Sequence, residues 1–205
     1  MLSFYMGACF FLLFLSLIHM IMSHPEEQNH IEKHSYPVGR FVPAETYNDK
    51  LLERWIGSIR SIPLLFDYCI ENLDEAQLNT PYRDGGWTII QVVHHVADSH
   101  MNAYMRMKLA LTEERPIIKP YDEKLWAELP DVTDVPLNVS VTLIHALHRR
   151  WVSLLMQMKE EDWIREYYHP GDQVYVPLWQ MTNMYNWHGK HHAEQILSLR
   201  TRMGW

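Results

Sequence analysis

His188 and His192 stand one helical turn apart near the end of the chain, in the run Trp187-His-Gly-Lys-His-His192. Imidazoles at positions i and i+4 of a helix share a face and can reach a single ion, as in helical zinc signatures. At 100° per residue, with His188 at 0°, His192 falls at about 40° and Met181, Tyr185, Ile196 and Leu199 all fall within about 80°. Both imidazoles therefore sit in the middle of an apolar face, a costly place unless they are paired or metal-bound. A metal needs a third ligand from another helix, and His95 is the natural candidate. On its own helix it lies at the edge of the apolar face, heading a polar seam of His95, Ser99, Asn102 and Arg106. Three neutral imidazoles leave a zinc-like ion with a fourth, open position, the catalytic rather than the closed structural type of site. A water bound there would have its pKa lowered towards 7.

Several chemistries are absent. Gly189 follows His188, so the His-Glu-x-x-His of the zincin proteases, with its built-in general base, is missing. Glu-x-x-His occurs at Glu27–His30 and Glu166–His169; neither context suits a di-iron centre. No phosphate-binding glycine loop, dinucleotide fingerprint or nucleophile elbow is present. Cys69 lies on an apolar stripe and reads as packing. Gly189, mid-helix, carries a propensity penalty of about 1 kcal/mol against Ala and marks a close helix contact or a ligand approach.

The elements that must position these residues are helical. Leu51, Leu52, Trp55, Ile59, Ile62, Phe66, Cys69, Ile70 and Leu73 recur at spacings of three and four, predicting a helix over 44–73 with a kink at Pro63. A glycine turn at 85–86 precedes a Thr88–Gln91 capping box and a second helix over 88–112. Residues 113–137 hold four prolines and form a long loop with one short helix over 122–128; loops of this length are often functional. A third helix runs from Asn138 or Ser140 to about 160. The Asn138-Val-Ser140 sequon reads more strongly as a helix cap. Residues 165–177 predict a small β-hairpin turning at His169-Pro-Gly-Asp172, and the last helix covers 178–201. The fold class is all-α: a four-helix bundle with a long crossover loop and a small β-hairpin.

Domain organisation follows. Residues 1–22 carry no charged side chain and read as an export signal, a membrane anchor or a start called too far upstream. Residues 23–40 form a polar arm in which His24, His30 and His34 are solvated. Residues 41–205 form the bundle. The chain of 205 residues has 18 Lys and Arg against 25 Asp and Glu, a charge of −7, which argues against nucleic acid as a partner. Two cysteines exclude a disulfide scaffold. Thirteen histidines are an unusually large share. Beyond the three site candidates, His94 faces water, His169 and His191 are exposed or secondary, and His100, His145 and His148 are packing or supporting groups.

Long motifs carry a resemblance. Tyr36-Pro-Val-Gly39, Thr80-Pro-Tyr-Arg-Asp-Gly-Gly-Trp87, Gln91-Val-Val-His-His-Val-Ala-Asp-Ser-His-Met-Asn102, Pro120-Tyr-Asp-Glu123 with Trp126, Tyr168-His-Pro170, Trp187-His188 with His191-His192, and Arg202-Met-Gly-Trp205 span the chain from residue 36 to its end. In these the chain resembles the YfiT-type metal-dependent hydrolases of the DinB-like superfamily. The resemblance implies a DinB-like four-helix bundle, homodimeric and cytoplasmic. It implies one divalent ion per subunit, zinc or nickel, held by His95, His188 and His192. The leading reading is a hydrolase acting on a small-molecule substrate, with Asn102, Arg106, Tyr121 and Trp126 as candidates to orient it. A thiol S-transferase, as among wider relatives, and a non-catalytic metal-binding bundle are the alternatives. A membrane role arises only if residues 1–22 are a genuine anchor.

Overall fold

The computed structural model describes residues 31–205; the predicted leader and residues 23–30 of the expected 23–40 arm, with His24, Glu27 and His30, lie outside the described residues. Helix α1 spans Asp49–Ile70, started by the Asn48 side chain, which accepts from the Leu51 amide. It begins later than the apolar spacing suggests because residues 44–48 are held in another way. The Ala44 amide donates to Asn183 Oδ1 at 3.0 Å, fastening this stretch to the last helix. Pro63 lies inside α1, and its missing N–H leaves the Ile59 carbonyl without its usual partner one turn on.

A one-turn helix α2 (Glu75–Leu78) precedes α3, which spans Ile89–Thr112. The expected capping box is present: Thr88 Oγ1 accepts from the Gln91 amide at 3.2 Å and Gln91 Oε1 accepts from the Thr88 amide at 3.0 Å. At the other end, Arg165 captures orphan carbonyls of α3, donating to Ala110 O at 2.6 Å and Glu113 O at 2.8 Å.

The proline-rich segment holds α4 (Glu123–Trp126) and a second short helix, α5 (Pro130–Asp134), which the sequence reading leaves as loop. Pro130 opens α5 at the position where a missing N–H matters least. Helix α6 spans Leu137–Leu155, so Asn138 is inside the helix and does not cap it. It ends before residue 160, and the chain makes a separate turn, α7 (Glu160–Trp163). Strands β1 (Glu166–His169) and β2 (Val174–Pro177) form the expected antiparallel hairpin. The Ile118 amide donates to Tyr168 O and the Tyr168 amide to Pro116 O, so the proline-rich segment is stitched along β1. Helix α8 (Leu178–Met203) closes the fold and ends at Gly204, whose left-handed φ of 73° completes the C-cap.

The four long helices pack as a ring in the order α1, α6, α3, α8. Neighbours in the chain are therefore not always neighbours in space. The steps from α1 to α3 and from α6 to α8 cross the diagonal, carried by residues 71–88 and by the segment with the hairpin. Ile59, Ile62, Phe66, Val92, Val96, Met107, Ile144, Trp151, Met181 and Ile196 fill the centre, each at most 1% exposed. Among the described residues no helix is long and apolar enough to cross a membrane.

Gly189 is explained by the α8–α1 contact. A Cβ there would run into Ile62 Cδ1 and come within 2.8 Å of Ile62 Cγ1. Ile62 is fully buried and its β-branch leaves it little room to turn. Gly189→Ala gains about 1 kcal/mol in helix propensity but overpacks the contact by about 1–3 kcal/mol. The expected result is a net loss of stability in urea titration; a stabilised variant would show that the helices can part here freely.

Candidate metal centre

Helices α3 and α8 pack side by side and bring three imidazoles together. One nitrogen each of His95, His188 and His192 lies within 4.8 Å of the other two. The ring centroids are 5.4 Å apart for His95–His188, 4.8 Å for His95–His192 and 4.5 Å for His188–His192. Removal from water pushes all three towards the neutral form a metal requires: His95 falls to about 4, with His191 adding repulsion, and His188 and His192 fall well below the ordinary imidazole range.

The hydrogen bonds around the cluster set which nitrogen is bare. Gln195 donates through Nε2 to Ser35 O at 2.9 Å, and a carbonyl can only accept. Its Oε1 therefore faces His192 and takes the Nδ1–H at 2.9 Å, leaving the Nε2 lone pair of His192 free. His188 is engaged at Nδ1 by His100 Nε2 at 3.0 Å, while its Nε2 meets only the Ser99 hydroxyl, at 3.5 Å. Rings held at Nδ1 by fixed partners in this way match how proteins orient metal-binding histidines. This donor set fits a divalent ion of the zinc class, with no carboxylate among the three groups.

The cluster opens into a cavity of about 910 Å³. Trp87 covers one side, its ring 4.7 Å from that of His95. Of the orienting candidates, Arg106 and Tyr121 line this cavity. Arg106 reaches Lys119 O at 3.3 Å and lies 6.0 Å from the centre of the Tyr121 ring. Burial, with Tyr185 nearby, pushes the Tyr121 phenol up to about 12, so it keeps its proton at neutral pH. Trp126 packs on Tyr121 at 4.3 Å and stands behind it. Asn102 does not reach the cluster: its amide donates to Asp98 O at 2.9 Å within its own helix.

Several other histidines differ from expectation. His94 is buried, because α5 and the start of α6 cover that side of α3; its Nδ1 meets Ser140 Oγ at 2.7 Å. His169 is half-buried and lines the cavity, since the proline-rich segment lies along β1; its Nδ1 is 3.0 Å from Asp172. His145 is exposed and pairs with Asp67 at 2.9 Å instead of packing. His191 is buried and stacks on Trp187 at 4.4 Å. His34 is buried too, with Arg202 at 2.9 Å from its Nδ1. Cys69 is fully buried, as expected of packing. Gln195 escaped the sequence reading, although a position three residues after His192, at about −20° on the same wheel, puts an amide among core residues and could have flagged it.

The fold is that of a known class of four-helix bundle proteins. Residues 64–196 match the model of the DinB superfamily, and the chain belongs to that superfamily. It is 50% identical over 170 residues to a Bacillus pumilus protein named "Putative metal-dependent hydrolase", covering 83% of this chain and 97% of that one. It is 44% identical over 171 residues to the Bacillus subtilis protein of the same description, YfiT, with 83% and 96% covered. The solved four-helix bundle of YfiT superposes with a TM-score of 0.82 at 43% identity, covering 84% of this chain and 99% of that one. The solved mycothiol-dependent maleylpyruvate isomerase shares the fold alone, at a TM-score of 0.58 and 19% identity, with 71% and 60% covered.

Proposed function

We propose that the cavity is the active site of a hydrolase and that His95, His188 and His192 hold one divalent ion, zinc or nickel, in it. The observation that carries the reading is the convergence of three neutral imidazoles within 4.8 Å at the floor of a cavity large enough for a small molecule. The names of the relatives support the reaction class. When bound, such an ion supplies Lewis acidity, polarising a substrate carbonyl or lowering the pKa of a water.

The protein's own groups do the remainder. Gln195 and His100 hold the His192 and His188 rings in place. Tyr121 keeps its proton and offers a hydrogen bond inside the cavity. Arg106, Arg83 and Lys124 bring positive charge to the walls, and Trp87 shields His95 from solvent on one side. Ser99, under 4 Å from His188 Nε2, is placed to orient a group arriving at the open position.

The test is a screen of the zinc- or nickel-loaded protein against esters and amides, alongside small thiols offered with electrophiles. Turnover of an ester or amide that is lost on chelation and independent of thiol is expected. Turnover that requires the thiol would replace hydrolysis with thiol S-transfer; no turnover of either kind by fully loaded protein would leave a non-catalytic metal-binding bundle.

A further inference from the structure

Behind the metal centre, three imidazoles run in a line through the bundle core. His188 Nδ1 lies 3.0 Å from His100 Nε2, His100 Nδ1 lies 2.8 Å from His148 Nε2, and His148 Nδ1 lies 2.7 Å from Ile59 O. His100 is wholly buried and His148 is 1% exposed. Trp151 and Tyr185 wall the line edge-on, with ring centroids 5.9 Å and 5.2 Å from that of His100.

The sense of this chain is settled at its far end. In an uninterrupted helix the Ile59 carbonyl would accept from the amide four residues on, which here is Pro63 and has no N–H. The carbonyl is therefore available, and it can only accept, so His148 carries its proton on Nδ1. A neutral imidazole has one donor and one acceptor. His148 Nε2 must then accept from His100 Nδ1–H, and His100 Nε2 must accept from His188 Nδ1–H. Burial holds His148 down to about 4 and His100 well below the ordinary imidazole range, consistent with neutral rings throughout.

We propose that His100 and His148 are positioning residues: anchored on the carbonyl that Pro63 leaves free, they lock His188 as the Nδ1–H tautomer and so present its Nε2 lone pair towards His95 and His192. The proposal rests on the reading of His188 as a metal ligand. It gives Pro63 and His148, both remote from the cavity, a part in setting the affinity of the site. The second cavity, of about 660 Å³ between α1 and α6, is lined by Pro63 and His148 and backs onto the same chain.

The test has two readouts, neither of them activity. Long-range proton–nitrogen spectra of the metal-free wild-type protein, labelled at histidine nitrogen, should show His148, His100 and His188 all as Nδ1–H tautomers. An Nε2–H tautomer at any of the three would overturn the proposal without any variant. Competition titration with zinc gives the second readout. His148→Phe removes the acceptor for His100; affinity should fall about 10- to 100-fold, as when an outer-shell partner of a ligand is lost, and a His188 Nε2–H signal should appear. His148→Gln, whose carbonyl accepts and whose amide donates, should restore affinity to within a few-fold of wild type. Unchanged zinc affinity in a folded His148→Phe would overturn the positioning role. Wild-type protein that binds neither zinc nor nickel would overturn it through the metal reading itself, and this outcome is separable because the tautomers are read without metal.

Discussion

His192→Ala purified from metal-replete medium is expected to carry no stoichiometric zinc or nickel. The ring offers its Nε2 to the cluster, and no carboxylate belongs to the group to take its place; Gln195, whose Nε2 stays on Ser35 O, could bring only a neutral amide oxygen, a poor substitute for an imidazole. Structural zinc sites with four ligands are worth roughly 10–16 kcal/mol, so one ligand of a similar set accounts for about 3–4 kcal/mol, or on the order of 10²- to 10³-fold in affinity. The fold should survive. The Gln195 acceptor left without its donor costs about 1–3 kcal/mol, below a typical folding stability of about 5–15 kcal/mol, and the space opened adjoins the cavity that His192 already lines. His192 is also the cleanest of the three to remove, because His188 would break the histidine line as well. Elemental analysis, with circular dichroism to check the fold, reads the result. A folded variant that keeps one metal per chain would sink the ligand assignment.

How much of this centre could be read from the chain depends on what each residue needed. His188 and His192 were readable because one helix contains the whole argument: spacing four places them together, and the apolar neighbours say which way they face. The capping box at Thr88 and the hairpin turn at residues 169–172 are local in the same sense. His95 needed only the further step of matching edges on two helices. His94 was misread because its surroundings come from elsewhere. Its own helix points it to water, and only α5 and Ser140 of α6, some 40 residues away, cover it. His169 was misread for the same reason, since the 116–118 segment that lies along β1 is distant in sequence and carries no strand pattern. The histidine line lay hidden in a different way. The sequence shows a proline in a helix, and the expectation stops at a kink; that the freed carbonyl would face His148 depends on how α1 and α6 meet. The ring order of the helices, with its two diagonal steps, is likewise a product of packing and leaves no mark on periodicity.

Acid should destabilise the metal-free protein steeply from about pH 6 downwards. His95, His148 and His191 are each held down to about 4, and His100, His188 and His192 are held well below the ordinary imidazole range, mainly through burial. In the unfolded chain all six titrate near 6.5. Below that value the unfolded state binds more protons than the folded one, so stability falls as pH falls, and it levels off only below the folded-state values. Above about 6.5 these groups contribute no slope. His95 and His148 alone give about 3 kcal/mol per pH unit between roughly 6.5 and 4, a large fraction of a typical folding stability of about 5–15 kcal/mol. Asp98 works in the opposite sense. Burial and the neighbouring Asp131 push it up to about 6, so its folded form takes up a proton first and gains stability as pH drops through that value. One carboxyl against six imidazoles cannot reverse the trend. The expected curve is flat from pH 8 to 7 and steep from 6 to 5, with proton uptake on unfolding in the steep region. Bound zinc should lift the neutral plateau, since only the folded state presents the three ligands together, and that increment should vanish over the acidic range as protons displace the metal. Urea titrations of metal-free and zinc-loaded protein at half-unit steps would draw both curves. A metal-free protein as stable at pH 5 as at pH 7 would mean that the histidines are solvated or charged in the folded state, and the neutral cluster on which the site depends would be lost with it.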